Sequence, residues 1–187
     1  MLIKFSVNNY RGFADKIEWD LSHPSNYSFN QNAIKDNILK NGIIYGPNGA
    51  GKSNLGLAVF DIANHLSHKW KKPDYYLNYA SAYNYNQPVN FEYVFKFEDD
   101  TILYKYSKVA KELKGELVKE QLFLNEKELF YNDAGTLRLN KDFALTDMAI
   151  DSVRNSANNI SIVNYLLSVV PFPKGHALLK LSAFVEN

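Results

Sequence analysis

Residues 46–53 read Gly46-Pro47-Asn48-Gly49-Ala50-Gly51-Lys52-Ser53, and they fill every fixed position of the pattern Gly-x-x-x-x-Gly-Lys-Ser/Thr. The pattern requires a strand before it, and Gly42-Ile43-Ile44-Tyr45 predicts a short buried strand. It also requires a helix after it, and we expect one from Lys52 to about His68. The buried face of this helix is predicted by apolar residues at three- to four-residue spacing: Leu55, Val59, Ile62 and Leu66.

This order of strand, glycine turn and helix predicts a site for a nucleoside triphosphate. A helix N-terminus has free backbone N–H groups and a positive dipole end, and glycines let the backbone wrap closely around phosphate oxygens. We expect Lys52 to contact the β- and γ-phosphates, and the Ser53 hydroxyl to help hold the Mg²⁺ that bridges them. The predicted ligand is ATP with Mg²⁺, bound by residues Gly46 to Ser53 and the adjoining Asn54.

The composition limits the class of protein. The chain has 187 residues, 46% of them hydrophobic, which is the length of one ordinary domain with a sizeable core. Its 21 basic and 20 acidic residues give a net charge of +1, so no general attraction to nucleic acid or to acidic membranes is expected. The absence of cysteine excludes disulfides and thiolate metal sites. Neither a signal peptide nor a membrane-spanning run is recognisable, so the predicted location is the cytoplasm.

Three parts are predicted within a single α/β nucleotide-binding lobe. The first, residues 1–68, begins with a hairpin made of an alternating strand from Leu2 and a second strand from Lys16 to Leu21, and continues through the loop and its helix. Residues 22–40 are predicted to be a surface connection. The second part, residues 89–140, alternates in short runs separated by turns and predicts an antiparallel meander. The third, residues 142–187, is predicted to be helical.

The hairpin and the loop together resemble a known family. Residues 2–13 read Leu-Ile-Lys-Phe-Ser-Val-Asn-Asn-Tyr-Arg-Gly-Phe, and with the loop they are similar to the start of ABC-like ATPase heads of the SMC and RecF type. The resemblance is greatest to bacterial AAA-family ATPases of abortive-infection and phage-defence systems. It implies an ATP-dependent switch in an antiviral defence system, in which heads dimerise around ATP and license an effector, often a nuclease. A DNA-repair ATPase head is the alternative within the same family.

The resemblance carries over to few other residues. It implies that Arg11, in the Asn-aromatic-Arg motif after the first strand, lies near the nucleotide; otherwise Arg11 is a surface residue of a turn. Gln121 is the one glutamine of the meander strands, and we do not expect it to be the magnesium-sensing glutamine of the family. The family also needs an acidic strand end and a serine-glycine signature loop for hydrolysis, and neither is recognisable here. We therefore expect a lobe that is incomplete without a carboxy-terminal lobe.

Other interpretations remain open at this point. A small-molecule kinase fits poorly, because the chain has only three arginines to clamp phosphates: Arg11, Arg138 and Arg154. A scaffold that binds nucleotide without hydrolysing it is the alternative from another class. Residues 69–72, Lys-Trp-Lys-Lys, and the tyrosines after them would suit single-stranded nucleic acid, although the neutral net charge disfavours it. His65 and His68 lie one turn apart and superficially suggest a metal site, but they are expected to be solvated helix side chains.

Overall fold

A computed structural model describes residues 1–25, 28–67, 73–134, 136–141, 151 and 160–186. The strands are β1 (Leu2–Asn8), β2 (Ile17–Asp20), β3 (Ile34–Lys35), β4 (Ile38–Leu39), β5 (Val89–Phe97), β6 (Asp100–Lys111), β7 (Lys114–Leu124), β8 (Lys127–Asp133) and β9 (Thr136–Leu139). The helices are α1 (Lys52–Val59), α2 (Asp61–Leu66), α3 (Ile162–Val169) and α4 (Ala177–Glu186), with short 3-10 turns at Gln31–Ala33 and Pro73–Tyr76. The chain is therefore an α/β protein.

Seven strands form one antiparallel sheet in the order β2-β1-β5-β6-β7-β8-β9. The predicted hairpin and the predicted meander both exist, and β1 joins them by pairing with β5, with Val7 opposite Phe91. The sequence shows no sign of this pairing, because more than 80 residues separate the two strands. The pairing of β1 with β5 places the turn after β1 beside residues 79–88, where the hydrogen bond from Arg11 N to Tyr79 O measures 3.0 Å.

One face of the sheet forms the core. Alternation brings Phe5, Tyr93, Tyr104 and Leu122 into a row across four strands, and each of them is at most 1% exposed. The helices pack on this face through Ala58, Ile62, Leu66, Leu166 and Leu178. Burying apolar area of this kind contributes about 25 cal/mol per Å². The opposite face carries Lys4, Glu92, Lys105 and Gln121, as the period of two requires.

The helix that follows the glycine loop is shorter than predicted. It breaks at Phe60, whose side chain is 67% exposed, and α2 starts at Asp61. The predicted buried face is correct at Ile62 and Leu66, which are 7% and 8% exposed. The break lies where Asp61 enters the core to meet a lysine of β6, a long-range contact that the local apolar spacing does not contain.

The prediction of a buried strand at Gly42–Tyr45 is wrong. Residues 41–47 have no regular secondary structure, and Ile43, Ile44 and Tyr45 are 77%, 42% and 85% exposed. A buried strand needs a hydrogen-bonded neighbour and cover on both faces. The segment pairs with none of the strands in the described part of the chain, so its apolar side chains lie at the surface.

Two helices lie in the part predicted to be helical, of which residues 142–150 and 152–159 lie outside the described residues. The expected apolar positions Leu179 and Phe184 are 37% and 44% exposed. In α3, Ile162, Val163 and Leu166 are buried, and in α4 the same is true of Ala177, Leu178 and Leu181. The predicted surface connection contains the small β3–β4 ladder, in which Ile38 is buried. Among the described residues, every helix is too short or too polar to cross a lipid bilayer.

Candidate functional site

The glycine loop lies at the N-terminus of α1 and is exposed to solvent. Gly49 and Gly51 have φ values of 84° and 89°, in the left-handed region that L side chains rarely adopt. A Cβ on Gly51 would also lie 2.8 Å from the Phe13 ring, so glycine is required there for close approach as well. Phe13 belongs to the turn after β1, and this contact fixes the loop against the hairpin.

Backbone N–H groups at the start of α1 are free to bind a ligand. The backbone amides of Lys52, Ser53 and Asn54 donate to no acceptor within the described residues, and no side chain caps the helix. The Lys52 ammonium folds over the loop and donates to the carbonyls of Gly46 and Pro47, both at 2.7 Å. Ser53 is exposed beside it. A helix N-terminus with free amides and a nearby ammonium attracts an anion.

The Asn9-Tyr10-Arg11 motif connects the hairpin to the segment before β5. The Asn9 amide donates to the carbonyls of Asn84 and Gln87 at 3.0 and 2.9 Å, which clamps residues 84–88 to the end of β1. The Tyr10 ring is fully buried. Arg11 adopts a φ of 48°, held by the hydrogen bond from its amide to the Tyr79 carbonyl. The motif therefore has a structural role in the chain, while the place of Arg11 near a nucleotide stays a prediction.

The Arg11 side chain lies at the edge of a cavity of about 660 Å³. Its Nε donates to the Tyr10 hydroxyl at 3.1 Å, and its Nη2 donates to the Tyr75 carbonyl at 2.8 Å. Within the described residues, no carboxylate forms an ion pair with Arg11 or with Lys52. The cavity reaches the first turn of α1, and its lining includes Gly12, Asn54, Tyr76, Asn78 and Tyr85.

A buried ion pair lies behind this cavity. Asp61 is 0% exposed, and its Oδ1 accepts from Lys108 Nζ and from the Tyr106 hydroxyl, both at 2.7 Å. Its Oδ2 accepts from the hydroxyls of Tyr75 and Tyr79 at 2.9 and 2.8 Å. Burial raises the pKa of Asp61, but the Lys108 ammonium and these hydrogen bonds outweigh burial, so the pKa lies below its usual value. Asp61 is therefore an ionised structural anchor and does not act as a free catalytic acid.

A second buried carboxylate binds the start of α3. Glu120 accepts hydrogen bonds from the Tyr104 hydroxyl, the Ser161 hydroxyl and the Ile162 amide at 2.5, 2.7 and 2.7 Å. Burial raises the pKa of Glu120, but its neighbours, first His65 and then the Tyr104 and Ser161 hydroxyls, outweigh burial and hold the pKa below its usual value. The prediction that His65 is a solvated side chain is wrong, because it is buried beside Glu120, 5% exposed, with Nε2 at 2.7 Å from the Tyr104 hydroxyl. Burial, followed by the Lys108 charge, lowers the pKa of His65, so this ring is neutral at pH 7.

Other residues singled out from the sequence lie away from the loop or outside the described residues. Gln121 is on the opposite face of the sheet and donates to Glu128 at 2.7 Å. His68 and residues 69–72 are outside the described residues. Within the part of the chain that is described, no three side chains of His, Asp or Glu are grouped as a metal site would require.

Sequence reasoning missed Lys108 and Glu120. Both stand at core positions of the strand alternation, because Lys108 has the parity of Tyr104 and Tyr106, and Glu120 has that of Leu122. A charged residue on the apolar face of a strand is the signal that was available. It indicates a buried polar partner without saying which residue provides it.

No known protein family, characterised protein or solved structure gives a match to this chain. The function therefore has to be argued from the site itself.

Proposed function

We propose that the chain is the nucleotide-binding lobe of an ABC-like ATPase and that residues 46–54 bind ATP with Mg²⁺. The observation that carries the proposal is the loop itself. Within the described residues, the backbone amides of Lys52, Ser53 and Asn54 donate to no acceptor, and the Lys52 ammonium has no carboxylate partner. Free donors and an unneutralised cation at a helix N-terminus suit an anion with several oxygens. Lys52 would exchange its two carbonyl acceptors for the β- and γ-phosphates.

Arg11 adds a second cation at the same end of the molecule. It lines a cavity together with Asn54, the residue that follows Ser53. A Cβ placed on the neighbouring Gly12 would lie 3.5 Å from Asn54 Nδ2. Arginine binds phosphate oxygens through a planar fork of donors and stays charged. This placement supports the role that the family resemblance implies for Arg11.

The surface next to the loop supports the expectation of a further lobe. Ile43, Tyr45 and Phe60 are exposed, and a largely apolar cavity of about 820 Å³ lies beside them, between α1, β2 and the end of α4. Exposed apolar surface of this extent is typical of an interaction site. We propose that a polypeptide carrying the acidic strand end and the signature loop covers this surface, in the same chain or in another one.

Hydrolysis in such an assembly needs groups that the described residues around the loop do not supply. In-line attack on the γ-phosphate requires a positioned water and compensation of the developing charge. Asp61 is the one acid that the sequence places close after the loop, and its carboxylate already accepts hydrogen bonds from Lys108 and three tyrosines. We therefore propose that residues 1–187 bind ATP without turning it over. The role of the assembly, in phage defence or in DNA repair, follows the family resemblance alone.

Calorimetric titration with Mg-ATP tests the proposal. We expect the parent to bind and Lys52→Ala to lose affinity by at least about tenfold, since a hydrogen bond to a charged group contributes about 1.5–3 kcal/mol. Lys127→Ala is the matched control, because Lys127 lies at the β7–β8 turn, at the other end of the strands from Arg11. Equal affinity of the parent and Lys52→Ala would refute the proposal.

Two further measurements refine it. Ser53→Ala should reduce the gain in ATP affinity that Mg²⁺ gives. An unchanged magnesium dependence would show that the Ser53 hydroxyl is not a ligand of the metal. Phosphate release by residues 1–187 should stay at background. Concentration-independent release that is abolished in Lys52→Ala would instead show that a catalytic acid lies within this chain, with Asp147 and Asp151 as candidates.

A further inference from the structure

The Arg11 side chain is tied to the buried core by a directed chain of hydrogen bonds. Arg11 Nε donates to the Tyr10 hydroxyl at 3.1 Å, and this hydroxyl donates to the Tyr75 hydroxyl at 3.2 Å. The Tyr75 hydroxyl in turn lies 2.9 Å from Asp61 Oδ2. Each hydroxyl accepts from the previous group and donates to the next, so the polarisation runs one way towards the carboxylate.

The two tyrosines also hold the guanidinium by other contacts. The Tyr75 backbone carbonyl accepts from Arg11 Nη2 at 2.8 Å, and the guanidinium carbon lies 5.6 Å from the centre of the Tyr10 ring and 5.7 Å from that of Tyr75. These distances are within the range of cation–π attraction. Two of the five N–H donors of Arg11 are used, and the other three have no hydrogen-bond partner among the described residues.

From this geometry we infer that Tyr10 and Tyr75 are positioning residues for Arg11, anchored by Asp61. They hold the guanidinium at the edge of the cavity shared with Asn54, so that its three remaining donors are available to the triphosphate. The inference rests on the proposed function, since it assumes that the loop binds ATP. It extends that function by assigning the buried tyrosine cluster a role in affinity as well as in folding.

The physical reason is preorganisation. A free arginine side chain has about 2 kcal/mol of rotamer entropy, which is lost if the side chain becomes ordered only when ligand binds. A guanidinium already fixed by two hydrogen bonds and two rings avoids much of that cost at binding. Without the Tyr10 hydroxyl, Arg11 would keep its charge but lose the hydrogen bond that fixes Nε.

Calorimetry with Mg-ATP on the whole chain tests this inference through the Tyr10→Phe variant, which keeps the ring and removes only the hydroxyl. We expect its affinity to fall about three- to tenfold, the effect of one hydrogen bond. Tyr93→Phe is the matched control: Tyr93 is equally buried, and its hydroxyl donates to the Ala58 carbonyl without touching Arg11. The control should lose a similar amount of stability and bind ATP as the parent does.

A double-mutant comparison separates positioning from general loosening of the core. If Tyr10 acts through Arg11, then Tyr10→Phe should have no further effect on affinity in an Arg11→Ala background. If Tyr10→Phe does not fold, Tyr75→Phe replaces it, because that change breaks the chain one step later and keeps the carbonyl that binds Nη2.

The outcomes distinguish this inference from the proposed function. If folded Tyr10→Phe, or Arg11→Ala, binds Mg-ATP with the affinity of the parent, the inference is overturned. If Lys52→Ala loses binding in the same experiment, the proposed ATP site still stands. An equal loss from Tyr10→Phe in the parent and in the Arg11→Ala background also overturns it. Failure of the parent to bind Mg-ATP, or binding that Lys52→Ala leaves intact, refutes the proposed function and the inference with it.

Discussion

Lys52 and Lys108 carry the same ammonium group in opposite surroundings. Lys52 lies on an exposed loop and donates to two backbone carbonyls, whereas the Lys108 side chain is 3% exposed and is paired with the fully buried Asp61. A cation at the surface without a carboxylate partner remains available to a ligand. A buried cation has left water, so its partner must stay in place for the fold to survive. We therefore expect replacement of Lys52 to reduce ligand binding with little effect on stability, and replacement of Lys108 to reduce stability.

The largest effect on stability is expected from Lys108→Met. Removing the ammonium leaves the Asp61 charge in the core, which should lower the free energy of unfolding by about 3–5 kcal/mol. Lys105→Met on the same strand is the control, since Lys105 is 41% exposed and pairs with Glu92 at the surface, where such pairs contribute less than about 1 kcal/mol. Urea denaturation of both variants gives the comparison. Equal losses would mean that burial does not distinguish the two lysines.

The double variant Asp61→Leu with Lys108→Met tests whether the loss of stability comes from the unpaired Asp61 charge. Both charges are removed together, so no uncompensated charge remains in the core, and the double variant should be more stable than Lys108→Met alone. A double variant that is less stable than Lys108→Met would contradict this. It would show that the hydrogen bonds from the tyrosine hydroxyls to the Asp61 carboxylate stabilise the fold by more than its unpaired charge destabilises it.

A smaller effect is expected from replacing the glycine at the start of α1. Gly51→Ala forces an L residue to a φ of 89° with its Cβ 2.8 Å from the Phe13 ring, and should destabilise the chain by about 1–3 kcal/mol. Gly56→Ala in the same helix meets nothing within 4 Å and should stabilise by about 0.5–1 kcal/mol. Thermal unfolding should shift in opposite directions for the two variants. A shift in the same direction would contradict the loop geometry.

The smallest effect is expected from pH. The folded-state pKa of His65 is below its usual value of 6.5, so the unfolded chain binds the proton more readily. The stability from the neutral ring is present above pH 6.5 and is lost as the pH falls through the folded pKa. Asp61 and Glu120, with lowered pKa values, add a second loss below about pH 4.5, the usual value for Glu. Stability measured from pH 8 to 4 should fall, and His65→Gln should remove the upper part of that decline.

Much of the local structure could be predicted from the sequence. The meander strands follow their alternation, and Phe91, Tyr93 and Phe95 lie on the buried face as the period of two requires. The glycine loop and the start of its helix at Lys52 are as predicted, because both depend on residues adjacent in the chain. Local patterns failed at Gly42–Tyr45, where four apolar or small residues suggested a buried strand, but no strand of the described residues pairs with it.

The sequence by itself determined the positions of the glycine loop, the alternating strands and part of the apolar faces of the helices, since each depends on contacts within a few residues. Only the tertiary structure decided that β1 pairs with β5, that Asp61 meets Lys108, and that Arg11 is held by Tyr10 and Tyr75. Apart from the hydrogen bond between the neighbours Arg11 and Tyr10, these contacts join residues distant in the chain. The side-chain contacts exist because burial leaves a charged or hydroxyl group no partner except another polar group of the protein. Periodicity records which side chains are buried, but not which of them meet.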